Sequence, residues 1–139
     1  ILYVSRAAPG VGLAEVYGII RAAHSRNSGL GLSGALLFLD GCFAQIIEGP
    51  VAPLVQTFGR ITADPRHAGI ELRQRGPALG RLFPGQAMAL RYRACLDDAL
   101  MDGFDYSPGF PVPAMPADAL TELLVRACNR HQSLRRAAV

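Results

Sequence analysis

The sequence predicts an α+β sandwich, with two helices on one face of a four- or five-stranded sheet and a helical extension behind it. Three observations predict this. Asp40-Gly41 separates two strand-like apolar runs, residues 35–39 and 42–47, and Asp-Gly in that setting is a strong hairpin signal. Apolar residues recur at helical spacing both before and after the hairpin. Beyond the second helix, residues 70–75 alternate apolar and polar, as a strand with one wet face does.

In chain order, residues 1–5 form a short apolar strand with Tyr3 and Ser5 on one face. Pro9-Gly10 breaks it. A first helix starts at Leu13 with Val16, Tyr17, Ile20 and His24 along its stripe and Ile19 beside it. It should fail across residues 27–31, where Asn27 reads as a C-cap. Residues 29–34 match G-x-G-x-x-G, but they follow a helix and lead into a strand. A dinucleotide fingerprint needs the reverse order, so that phosphate meets a helix N-terminus. After the hairpin, Pro50 sits in the first turn of a second helix. Leu54, Val55, Phe58 and Ile61 form its buried face, and Pro65 ends it near residues 63–64. Residues 70–75 and 86–92 are the last strands, with Gln86, Met88 and Leu90 sharing a face. Strand-helix-strand units favour parallel neighbours, and the order βαββαββ gives a ferredoxin-like sandwich. Residues 1–92 are this core. Residues 93–139 are an extension, with a helical turn at 97–102, a Pro/Gly-rich linker at 107–116 and a final helix striped by Leu120, Leu123, Leu124, Cys128 and His131. That stripe must cover the free sheet face or a partner.

Composition narrows the function classes. A chain of 139 residues, 50% hydrophobic and 18% charged, is one compact domain. No run is long enough for a membrane span, and the start does not read as a signal peptide. The chain opens on Ile1 without Met, so a short preceding piece is expected. Cys42, Cys95 and Cys128 are scattered and odd in number, which argues against disulfides and zinc and fits a cytoplasmic protein. The net charge of +3 comes from arginine alone. Arg73, Arg75, Arg81, Arg91 and Arg93 read as a solvated face, without the basic–aromatic stripe that nucleic acid binding needs. No Ser/His/Asp or Cys/His arrangement supports catalysis.

Gln45 interrupts the second hairpin run. A buried primary amide needs partners at both its oxygen and its nitrogen. Neighbouring backbone can supply them, or the amide can face a ligand. Tyr3, Asn27, Asp64, Arg66 and His67 also stand at strand ends or in apolar runs. In a ferredoxin-like layout Tyr3 and Gln45 lie on adjacent central strands, beneath the groove between the helices. Sequence leaves open whether they point toward it.

Five segments, in order, carry a resemblance: Leu2-Tyr3-Val4-Ser5; Arg26-Asn27 with the strand from Leu32 to Phe38; Phe43-Ala44-Gln45-Ile46-Ile47-Glu48-Gly49; Ile61 with Asp64-Pro65-Arg66-His67; and Arg81-Leu82-Phe83 with Met88. Together the chain resembles the BLUF domain family, blue-light sensors that bind flavin adenine dinucleotide. The resemblance implies a flavin held non-covalently between the two helices, as FAD, FMN or riboflavin. It implies that Tyr3 donates an electron and that Gln45 stands between that phenol and the flavin. Asn27 and Arg60 would bond the ring edges, and Ile19 and Ile61 would sandwich it. Ser5 and Phe43 belong to the matched segments around it, Asp64, Arg66 and His67 form a nearby polar cluster, and Met88 relays the change.

An amide carries both a donor and an acceptor, so rotating or tautomerising it swaps the hydrogen bonds it offers. The implied cycle has no net chemistry and signals through Met88 and the C-terminal helices. Many members carry Trp two residues before the methionine; here Gln86 stands there, a second amide expected near Gln45. A downstream signalling protein is implied, with no nucleic acid or membrane partner, and a homo-oligomer is expected. The alternative is a flavin-free ferredoxin-like protein-interaction module.

Overall fold

A computed structural model of the chain describes residues 1–104, 106 and 112–137, with side chains described to residue 129. The elements are β1 (Leu2–Ala7), α1 (Leu13–Leu30), β2 (Ser33–Leu39), β3 (Cys42–Glu48), α2 (Val51–Thr62), β4 (His67–Gln74), β5 (Ala89–Tyr92), α3 (Asp98–Asp102) and α4 (Ala117–Ala137), with 3-10 turns at Arg93–Cys95 and Val112–Ala114. Among the described residues no helix is long and apolar enough to cross a membrane.

The five strands lie in the order β4-β1-β3-β2-β5, and the architecture is the expected ferredoxin-like α+β sandwich. Neither strand-helix-strand unit joins direct neighbours. β3 lies between β1 and β2 and is antiparallel to both, so the β1-α1-β2 unit is split. β1 separates β3 from β4 in the same way. The parallel neighbours are β2 and β5.

The hairpin turn is as its residues dictate. Asp40 and Gly41 both have positive φ, 51° and 72°, the pair of angles a type I′ turn needs. α1 ends on Gly31 at φ 70°, whose N–H returns to the Asn27 carbonyl. Asn27 is therefore inside the helix and not its cap. Pro50 is the N-cap of α2 rather than part of its first turn.

Alternation along the strands divides the core in two. Tyr3, Leu36, Phe43 and Ile47 face α1 and α2 with Val16, Leu32 and Met88. Leu2, Val4, Ala35, Leu37, Ala44 and Ile46 face the other way, as a period of two requires. The second face is covered by α4. Leu120, Leu123, Leu124 and Cys128 are buried there, with Leu96, Leu100 and Met101 from the α3 region. The final stripe thus packs on the free sheet face. His131 lies outside the described side chains.

Several expected faces shift. On α1, Tyr17 and His24 are exposed, and Val16 and Asn27 are the buried positions. On α2, Val55 is exposed and no residue is fully buried, because the helix overhangs a cleft. β4 starts at His67 rather than Ile70, and Leu72 is half exposed at the sheet edge, where helix cover runs out. β5 is shorter than residues 86–92 and begins at Ala89. The linker holds a 3-10 turn with buried Val112 rather than extended chain; residues 107–111 lie outside the described residues.

The arginines are not a plain solvated face. Arg73 donates to the Pro113 and Met115 carbonyls, and Arg91 to those of Leu90 and Ala127. Arg93 binds Asp98 and the Leu96 carbonyl. Guanidinium groups here satisfy backbone oxygens of the C-terminal extension. Arg81 bonds Ser33 Oγ at 2.9 Å and the Gly31 carbonyl at 2.7 Å. The buried Glu48 carboxylate accepts from Ser33 and from the Leu82 and Phe83 amides, at 2.8–2.9 Å. This network ties the loop after β4 to the end of β3.

Candidate functional site

Between α1 and α2 lies a cleft that is open at its mouth. Ile19, Ala22, Ala23, Arg26 and Asn27 come from α1; Thr57, Arg60 and Ile61 from α2. Gln45 and Ile47 of β3 form the floor, and Asp64, Arg66 and His67 line the end where α2 passes into β4.

Gln45 links the floor to two side chains buried behind it. Tyr3 and Gln45 are directly opposite in the β1–β3 pair, and the Tyr3 hydroxyl donates to Gln45 Oε1. Gln45 Nε2 donates to Met88 Sδ at 3.3 Å. A thioether sulfur can only accept, so the amide nitrogen must face Met88 and the oxygen Tyr3. Burial, reinforced by the negative charge of Asp64, pushes the Tyr3 phenol far above its ordinary pKa of 10.0. It therefore stays protonated.

Behind the floor, Ser5 Oγ and His67 Nδ1 are 2.8 Å apart. Phe43 and Tyr3 contact the His67 ring, with centroids 4.7 and 5.9 Å away. Burial holds the His67 pKa below 6.5, against the opposing pull of the Asp64 carboxylate. Arg66 grips Asp64 through its Nε and Nη2, at 3.0 and 2.6 Å. That hydrogen bonding keeps the Asp64 carboxyl below its ordinary 3.8 and raises the Arg66 guanidinium above its ordinary value.

Of the residues singled out from sequence, Ile19, Asn27, Gln45, Arg60, Ile61, Asp64, Arg66 and His67 line the cleft. Tyr3, Ser5, Phe43 and Met88 stand one layer behind. Gln86, expected near Gln45, does not bond it; it lines two grooves outside the cleft. Sequence reasoning missed Ala22, Ala23, Ile47 and Thr57. Residues 57, 60, 61 and 64 stand at i, i+3, i+4 and i+7, and that spacing pointed to Thr57.

The cleft suits a planar, polar-edged ring. Aliphatic walls face each other from two helices, and two alanines leave room between them. Amides stand at the inner edge. Thr57 Oγ1, on the wall, is buried without a hydrogen-bond partner, and such a group is rare unless a ligand or water completes it.

Comparison with known proteins agrees. The family described as "Sensors of blue-light using FAD" matches residues 1–89. Photoactivated adenylate cyclase subunit beta of Euglena longa is 32% identical over 84 residues, 60% of this chain and 10% of that protein. The chain thus spans about a tenth of that relative's length. The dark-state structure of BlrB, a BLUF protein, superposes with a TM-score of 0.71 at 30% identity, over 91% of this chain and 93% of that one. The photo-activated state of BlsA shares the fold, with a TM-score of 0.79 at 21% identity over 91% of each chain. The chain belongs to the BLUF family, the sensors of blue light that use FAD.

Proposed function

We propose that the cleft holds a flavin non-covalently and that the Tyr3–Gln45–Met88 chain converts blue light into a protein signal. Asn27, Gln45 and Arg60 would bond the ring edges. Ile19 and Ile61 would sandwich it, and Asp64, Arg66 and His67 would border it, with Ser5 and Phe43 setting His67 from behind. Bound flavin supplies the blue absorption and an excited ring that takes up an electron. Tyr3 is the oxidisable side chain, and its proton has a ready path to Gln45 Oε1. The electron and proton return to Tyr3 at the end of the cycle, so no net chemistry results.

The supporting observation is the two-ended bonding of Gln45. If the amide rotates, its oxygen meets the Met88 sulfur, and two acceptors cannot bond. The nitrogen meets the Tyr3 hydroxyl, which can accept. Rotation therefore keeps one bond and releases Met88. A tautomer with N–H and O–H reaches the same outcome at the ring by changing which atom donates. Met88 immediately precedes β5, the strand that pairs with β2, so its release bears on the sheet that α4 covers.

On this reading, residues 1–92 are the flavin-binding core and residues 93–139 carry the output. The chain itself catalyses nothing and signals in the cytoplasm through contacts with a downstream protein, as a homo-oligomer. An absorption spectrum before and after illumination tests it. A yellow protein whose band moves to the red in blue light and reverts in the dark is expected. A colourless protein that takes up no added FAD, FMN or riboflavin would overturn it in favour of a flavin-free interaction module.

A further inference from the structure

Met88 reaches Gln45 from the stretch just before β5, which the sheet holds through one backbone bond. β5 begins at Ala89, and before it the Gln86 carbonyl accepts from Gly34 N at 3.0 Å. Two side chains of α1 supply further ties. Asn27 Nδ2 donates to the Ala87 carbonyl at 2.8 Å. His24 Nε2 stands 2.6 Å from the Met88 carbonyl. A carbonyl offers no proton, so the hydrogen must sit on His24 Nε2.

His24 does not line the cleft. It faces a separate groove formed with Tyr17, Ile20 and residues 84–91. Yet it grips the same residue whose sulfur accepts from Gln45. Met88 is thus held at both ends: its carbonyl by α1, its thioether by β3. Fixing the backbone of a long, flexible side chain narrows where its sulfur can go.

We infer that His24 is a positioning residue for the Gln45 switch, keeping Met88 Sδ in place to receive the amide N–H when the dark arrangement re-forms. This rests on the photoreceptor reading. It makes α1 a second element, besides β5, that feels Met88 leave Gln45. Without the tie, the returning amide meets no waiting acceptor and recovery slows.

The test compares His24→Leu with His24→Gln, which retains a donor. In the flavin-free protein, hydrogen–deuterium exchange of residues 84–90 should quicken about tenfold in the leucine variant, the effect of one lost hydrogen bond, and stay near wild type in the glutamine variant. In the flavin-loaded protein, dark recovery should slow at least roughly threefold with leucine and be restored by glutamine. Wild-type exchange or wild-type recovery in the leucine variant overturns the proposal, as does failure of glutamine to restore recovery. A wild-type protein that takes up no flavin overturns the photoreceptor reading, and the proposal with it. One that photocycles normally beside an indistinguishable leucine variant overturns the proposal alone.

Discussion

The Tyr3 hydroxyl donates to Gln45 Oε1 across the β1–β3 pair, where the two residues stand directly opposite. Side chains opposite one another in an antiparallel pair lie on the same face. A phenol on β1 is therefore bound to hold the amide on β3 once both point inward. The amide's other end is committed to Met88. Every polar atom in the Tyr3–Gln45–Met88 relay has its partner, so a change at one must be answered by the next.

Tyr3→Phe and Gln45→Leu should each abolish the reversible red shift while flavin uptake persists. Difference absorption spectra on loaded protein check both. A full shift in Gln45→Leu would exclude the amide as the switch. Tyr3→Phe also leaves Gln45 Oε1 buried and unpaired, which costs about 1–3 kcal/mol of stability.

Stability should fall on mild acidification because of His67. Its folded pKa lies below the ordinary 6.5, so the unfolded chain takes up the proton first. The contribution is complete above about pH 6.5 and is lost as pH falls below it. Denaturant midpoints at pH 7.5 and 5.5 should differ in wild type and differ less in His67→Gln. Asp64, also shifted downward, acts only near and below its ordinary 3.8, so the two windows separate.

Gly34→Ala should be severe. A Cβ there would stand 2.1 Å from the Ile46 carbonyl oxygen and 3.2 Å from Met88 Cε. Sheet backbone cannot yield as a flexible side chain can, so a loss of about 3 kcal/mol is expected, the upper end for overpacking. Gly59→Ala is the contrast. Nothing lies within 4 Å of its Cβ position in α2, and it should stabilise by roughly 0.5–1 kcal/mol through helix propensity. Urea titration of both variants measures the difference.

Leu124→Ala tests the covering of the second sheet face. Leu124 is fully buried in α4 against that face, and its truncation should cost about 2–5 kcal/mol. A change under about 0.5 kcal/mol, the scale of surface substitutions, would mean that α4 does not share the core.

Local chemistry was legible in the sequence. Asp40-Gly41 dictated its turn, residues 27–31 marked where α1 fails though not which of them caps it, and the spacing in α2 and α4 marked their apolar stripes, because each depends on residues a few positions apart. The resemblance through Tyr3, Asn27, Gln45 and Asp64–His67 named most of the cleft for the same reason: its motifs are short.

Placement between distant segments was decided by the tertiary structure. A period of two says that Tyr3 and Ser5 share a face, but not which face; only the packing of α1 and α2 turns them inward. The slot of β3 between β1 and β2 splits the first strand-helix-strand unit and sets Gln45 opposite Tyr3. The Ser5–His67 and His24–Met88 bonds join residues more than 60 positions apart, and no local pattern encodes such a distance. Sequence determined which groups could switch. Tertiary packing decided which partner each one holds, because a hydrogen bond needs two atoms brought within about 3 Å of each other.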